Sequence, residues 1–65
     1  MPEIRINENI RKYRKEMGIG QETLANALGV TIQAVSKWET AGSMPDITLL
    51  PQIAEFFGVT LEELF

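Results

Sequence analysis

The sequence predicts an all-α domain of five short helices. Apolar residues recur at helical spacings of three and four, and glycine or a short polar residue stands at each break between those stripes. Nowhere does polarity alternate with period two for long enough to make a strand. With 65 residues there is room for one domain, residues 1–65, around one modest core, either by itself or as the N-terminal part of a longer protein. No repeat, low-complexity run or linker divides it.

Ile6, Ile10, Tyr13 and Met17 form the first stripe. Asn7 is a suitable N-cap and Gly18 stands just past the end, so a helix is expected over about 7–17. Gly20 opens a second helix, Gln21 to Leu28, which puts Leu24, Ala25 and Leu28 on one face and which Gly29 ends. Thr31 caps a third, Ile32 to about Thr40, with Val35 and Trp38 three apart. Only Gly29-Val30-Thr31 separates these two. A tight turn with glycine at its start, joining two short amphipathic helices, is the sequence form of a helix-turn-helix.

Ala41 to Pro45 read as a loop, after which Asp46 caps a fourth helix carrying Ile47, Leu50, Ile53, Ala54 and Phe57 and stopping at Gly58. Thr60 caps a last turn, Leu61 to Phe65, with Glu63 three residues on as in a capping box. Leu61, Leu64 and Phe65 fit either core or an interface exposed at this end.

Composition excludes several kinds of chemistry. Hydrophobic residues at 45% and charged residues at 23% are ordinary for a globular protein and too apolar for disorder. Without cysteine there is no disulfide and no thiolate metal site; without histidine the commonest ligand and the commonest general base are both missing. The carboxylates are scattered rather than convergent, so no catalytic residue, metal or cofactor is expected, and an enzyme is not. No apolar run approaches the roughly 18–20 residues of a membrane helix. Met1-Pro2-Glu3-Ile4-Arg5 lacks the apolar stretch of a signal peptide, and the polar faces are not lysine-rich throughout, so a cytoplasmic protein with no membrane partner is expected.

The net charge is −3, awkward for a nucleic-acid partner because affinity for DNA rests on cations meeting phosphates. The charge is unevenly placed. Arg5, Arg11, Lys12, Arg14 and Lys15 fall in the first fifteen residues, Lys37 is the other base, and from Asp46 onward there are acids and no base. That asymmetry permits a basic face.

Gln21-Glu22-Thr23-Leu24-Ala25, Leu28-Gly29-Val30-Thr31 and Gln33-Ala34-Val35-Ser36-Lys37-Trp38-Glu39 together resemble the Cro/C1 (phage repressor-like, or XRE) family. The flanks agree: Ile10 to Gly18 before the motif, and Pro45-Asp46 and Phe57-Gly58-Val59-Thr60-Leu61 after it. The resemblance implies a lambda-repressor-like fold, with the helix-turn-helix formed by helices 2 and 3. It implies a sequence-specific double-stranded DNA-binding protein of prokaryotic or phage type. Such a protein is a transcription regulator, of repressor type by preference, that docks as a homodimer on a two-fold operator and is nucleoid-associated when bound. The alternative is a helical protein-interaction module, antitoxin- or anti-repressor-like, with little DNA affinity of its own.

In such a motif the first residues of the second helix meet base edges in the major groove. Here those are Ile32, Gln33 and Ala34, with Ser36 and Lys37 a turn later. The Gln33 amide both donates and accepts, which suits adenine; Lys37, four residues on, suits guanine or a phosphate; Ile32 and Ala34 suit thymine methyls. The resemblance assigns phosphate contacts to Gln21, Thr31, Thr40 and Ser43, and has Gln21 brace Gln33. It also makes Arg14 and Glu39 a structural salt bridge between the first and third helices. Relatives commonly have Glu-Asn-Gly where this chain has Glu39-Thr40-Ala41-Gly42. A left-handed residue at Ala41 is costly, so the glycine role is expected to pass to Gly42. Trp38 is assigned to packing.

Overall fold

The computed structural model describes residues 4–65 and holds, among them, α1 (Ile6–Glu16), α2 (Gln21–Leu28), α3 (Ile32–Glu39), a 3-10 turn over Ile47–Leu49, α4 (Leu50–Phe57) and α5 (Leu61–Leu64). Met1, Pro2 and Glu3, part of the polar start read above, lie outside the described residues. No described helix is long and apolar enough to cross a membrane. Every α-helix sends side chains into one cluster: Ile6 and Ile10 from α1, Leu24, Ala25 and Leu28 from α2, Val35 and Trp38 from α3, Ile53 and Ala54 from α4, and Leu64 from α5. Full burial of an aliphatic side chain of this size stabilises by about 1.5–3 kcal/mol, which is why helices too short to hold alone persist here. Tyr13 and Phe57, with ring centroids 5.7 Å apart, tie α1 to α4 at the cluster's edge.

α1 begins earlier than its cap signal suggests, and Asn7 is not the cap. Arg5 holds that position, its carbonyl accepting from Asn9 N at 2.8 Å, and Ile6 is already in the core. The Asn7 amide instead donates across the fold to the carbonyls of Trp38 and Ser43. A cap bond is local and its residue type advertises it; a bond spanning more than thirty residues leaves no such mark. Met17, last of the first stripe, is outside the core and 46% exposed.

The helix ends share one closure. At the end of α2 Gly29 is left-handed (φ 71°), its N–H donating to Asn26 O and that of Val30 to Ala25 O at 3.0 Å. This reverses the chain within the turn of the helix-turn-helix. At the end of α3 the same role falls on Ala41 (φ 61°), not on Gly42 as expected. Thr40 is the last capping residue, so the next position must be left-handed for Ala41 N to reach Trp38 O (3.3 Å) and Gly42 N to reach Lys37 O (2.8 Å). Helix length, set by burial of Trp38, overrides residue preference.

A Cβ in this conformation costs about 1–2 kcal/mol, while glycine loses about 0.5–1 kcal/mol more chain entropy on folding. Ala41→Gly is therefore expected to stabilise the domain by roughly 0.5–1 kcal/mol, read as a higher urea midpoint at unchanged slope. An unchanged or lower midpoint would count against strain at this position.

Asp46 caps the 3-10 turn rather than α4 itself: its carboxylate accepts from Thr48 N at 3.2 Å and from the Thr48 hydroxyl, and these two bonds hold it below its usual pKa. Pro51 explains the junction. It has no N–H to return to Ile47 O, which takes Leu50 N instead, and it sits in the first turn of α4, where no donor is required. Ile47, expected on the apolar face of this helix, is 77% exposed as a result.

The Thr60–Glu63 capping box closes in both directions at 3.0 Å. Of the terminal apolar trio Leu64 is core, while Leu61 and Phe65 are each 43% exposed. Arg5 N→Phe65 O (2.8 Å), Asn9 Nδ2→Leu64 O (2.9 Å) and Tyr13 Oη→Glu63 O (2.9 Å) fasten this end to α1.

Candidate nucleic-acid interface

Burial of Val35 and Trp38 decides which way α3 faces. With those two side chains inward, Gln33 and Lys37 stand exposed on the opposite side, and Ile32 at the head of the helix is 44% exposed. Ser36 is half-buried, and Ala34 is half-buried and packed against the core, so less of it is presented outward than of Gln33. Thr31 orients the start of the helix by accepting from Ala34 N at 3.1 Å. The Thr31 proton is not used in that bond and is free to donate.

The start of α2 is prepared differently. Its cap is Gly20, with no side chain to accept from the first amides, so the donors left over at a helix start are not taken by a side-chain cap. Gln21 is half-buried there, and its amide nitrogen donates to Glu39 Oε1 at 3.2 Å. That is a correction to the expected brace, since the partner of Gln21 is Glu39 and not Gln33. Gln33 projects outward, whereas Glu39 turns back beneath the start of α2.

Glu39 is the hub of this corner. Arg14 meets it as a fork, Nε to Oε2 at 2.6 Å and Nη2 to Oε1 at 2.9 Å, while Nη1 donates to Ile19 O at 2.8 Å. The two side chains are only 12% and 4% exposed. Burial pushes the Glu39 carboxyl up, but the hydrogen bonds from Arg14 and Gln21 and the charges of Arg14 and Arg11 outweigh it, leaving its pKa below the ordinary value. The same bond from Glu39 raises Arg14 further against its desolvation. One ion pair thus joins α1 to the end of α3, and Gln21 adds α2.

Thr40 and Ser43 flank the far end of α3. The Thr40 hydroxyl donates to Ser36 O at 3.0 Å, so its proton is engaged in closing the helix. Ser43 is exposed, and Asn7 anchors its carbonyl at 3.1 Å. Asn7 is the residue near the interface that the sequence reading missed: through Trp38 O and Ser43 O it fixes both the end of α3 and the loop beyond. Its only sequence signal was a short amide in the first helical turn, which reads equally well as a cap.

Residues 10–64 match the sequence profile of the helix-turn-helix family. The chain belongs to that family. Among relatives of this helix-turn-helix domain, the HTH-type transcriptional activator BcrR of Enterococcus faecalis is 40% identical over 58 residues, covering 89% of this chain and 28% of BcrR. The chain thus spans little more than a quarter of that relative. The uncharacterized HTH-type transcriptional regulator MJ0272 of Methanocaldococcus jannaschii is 35% identical over 60 residues, 92% of this chain and 91% of its own length. In fold, the helix-turn-helix domain matches the P22 c2 repressor protein, solved in complex with a synthetic operator, with a TM-score of 0.85 and 28% identity over 92% of this chain and 91% of that one. This agrees with the Cro/C1-type resemblance and with a lambda-repressor-like arrangement of five helices.

Proposed function

We propose that this chain is a sequence-specific double-stranded DNA-binding transcription regulator, of repressor type, that reads the major groove with α3. The likeness of the domain, over 92% of its length, to a repressor in complex with a synthetic operator carries the reading. The outward face of α3 agrees with it. Gln33 and Lys37 are exposed, polar and without an internal partner among the described residues, so no demand of folding accounts for their chemistry. Gln33 reads adenine, Lys37 reads guanine or meets a phosphate, and Ile32, with smaller contributions from Ala34 and Ser36, meets thymine methyls or neighbouring edges. Gln21, Thr31 and Ser43 position the domain on phosphates, Gln21 through its second amide hydrogen together with the first amides of α2. Thr40 joins them only by giving up its bond to Ser36. The protein works in the cytoplasm and on the nucleoid, needs no cofactor, catalyses no reaction, and binds a two-fold operator as a homodimer.

Selection from a random duplex library, repeated over salt, tests this. Enriched sites are expected, and Gln33→Ala should lose about 1–3 kcal/mol and relax preference at one base position. Gln21→Ala should weaken all sequences alike, because a phosphate contact carries no base identity. Absence of enrichment, with no chemical-shift change along residues 31–37 on adding duplex at low salt, would reject the reading in favour of a protein-interaction module.

A further inference from the structure

Asn7 is half-buried on α1, yet both hydrogens of its side-chain amide leave that helix, for Trp38 O and for Ser43 O (3.1 Å). Neither bond serves α1, whose N-cap is Arg5. Asn9, also half-buried, behaves in the same way: its amide donates to the carbonyls of Leu64 (2.9 Å) and Glu63 (3.4 Å) and fastens α5. The two amides are alike in type, helix and burial and differ in what they hold. Asn9 holds the terminal turn; Asn7 holds the segment that leaves the reading helix.

That segment needs a hold from outside. Its own bonds return to the last turn of α3, Ala41 N to Trp38 O (3.3 Å), Gly42 N to Lys37 O (2.8 Å) and Ser43 N to Lys37 O (3.3 Å). They depend on Ala41 staying left-handed at φ 61°, which its Cβ disfavours. Asn7 braces this closure at both ends, at the carbonyl that takes Ala41 N and at the Ser43 carbonyl beyond it. Two residues further on, Pro45 is buried and anchors the chain again. Ser43 is exposed between these two anchors, so its backbone is fixed while the residue stays accessible. A loop already held in one place gives up less freedom when a partner seats on it.

We propose that Asn7 is a positioning residue for DNA binding. It touches no part of the duplex. By holding the carbonyls of Trp38 and Ser43 it fixes the loop after α3 where Ser43 meets a phosphate. Its effect falls on affinity and not on base preference, because a phosphate contact carries no base identity. The head of α3, where Gln33 stands, is oriented separately by Thr31. This inference rests on the DNA-binding reading.

The test compares the unsubstituted chain with Asn7→Ala, Asn9→Ala, Ser43→Ala and the Asn7→Ala/Ser43→Ala double variant. Binding to the selected duplex and to a random one is measured over salt, at a temperature where melting curves show every variant folded. Asn7→Ser, whose one hydroxyl hydrogen cannot serve two carbonyls, replaces Asn7→Ala if the latter does not fold. Asn7→Ala should bind both duplexes about tenfold more weakly, the worth of one or two neutral hydrogen bonds. The slope of log affinity against log salt should not change, because no cation is lost. Hydrogen exchange at the Gly42 and Ser43 amides should quicken. Asn9→Ala should lower the melting temperature and bind as the unsubstituted chain does. Ser43→Ala should weaken both duplexes by itself and add little to Asn7→Ala, since the contact is already misplaced there. Undiminished affinity in Asn7→Ala, equal weakening by Asn9→Ala, no loss from Ser43→Ala or additive losses in the double variant would each overturn the positioning role and leave the DNA reading intact. A change of base preference in Asn7→Ala would overturn it too. Failure of the unsubstituted chain to bind any duplex would remove the reading and the positioning role together.

Discussion

Arg14→Met is expected to unfold most of the protein at 37 °C. The substitution leaves the Glu39 carboxylate, only 4% exposed, with Gln21 as its one remaining side-chain hydrogen-bond partner among the described residues and with Arg11 as a more distant charge. Removing one member of a buried ion pair costs about 3–5 kcal/mol because the other charge stays behind uncompensated. A single core of this size supplies little more than about 3–5 kcal/mol of net stability, so the loss is comparable with the whole. The double substitution Arg14→Met/Glu39→Leu removes both charges and should recover most of the stability, since a buried pair replaced by apolar side chains is often neutral or better. Urea titration of the two variants decides it. Equal destabilisation of both would mean that lost packing, not stranded charge, dominates.

The same pair sets the behaviour in acid. Glu39 has a lower pKa folded than unfolded, so its contribution is complete above the ordinary value of 4.5 and is lost as pH falls through the folded value. Arg14 is raised above its already strongly basic ordinary value, so its share is complete throughout the acid and neutral range and creates no transition near neutrality. The unsubstituted protein should therefore lose stability steeply below about pH 4.5, and the charge-free double variant less steeply.

Leu64→Ala is the second large effect, out of proportion to the length of the helix that carries it. Leu64 is fully buried, and α5 has only four residues, too few to persist without that anchor. Truncating a buried leucine to alanine costs about 2–5 kcal/mol. At about 4–8 °C per kcal/mol for a domain of this size, the melting temperature should fall by roughly ten degrees or more. The half-exposed neighbours give the control: Leu61→Ala and Phe65→Ala should each cost much less. Hydrogen exchange should also quicken at the backbone amides of Arg5, Leu64 and Phe65, which donate to the carbonyls of Phe65, Thr60 and Leu61. If Leu61→Ala or Phe65→Ala matched Leu64→Ala, the terminal turn would be a packed unit rather than a strap held by one side chain.

Local chemistry was readable where it is local. Gly29, Gly58, Thr31 and the Thr60–Glu63 box each act within four residues, so residue type and spacing suffice to place them. The apolar stripes named nearly the whole core, because a helix buries what recurs every three or four residues. Where partners lie far along the chain the signal fails. Asn7 reaches Trp38 and Ser43, and Gln21 turns to Glu39, although their types suited a cap and a brace to Gln33 equally well. Ile47 shows another limit: a proline four residues later changes the helix type and rotates an apolar side chain into solvent.

The motif from Gln21 to Glu39 thus identifies family and fold, and singles out α3 as the proposed reading helix, without coordinates, because caps, turn glycine and apolar period are all encoded within a few residues of where they act. Which residues carry the interface's support was decided only by packing. Trp38 had to be buried, that set the length of α3, and the length put Ala41 in a left-handed conformation glycine would prefer. The same packing brought Arg14, Gln21 and Glu39 together from three helices, using up one charge of α1 and leaving Arg11 and Lys15 facing solvent. Residue type limits the bonds a side chain can make, and the tertiary fold chooses among them.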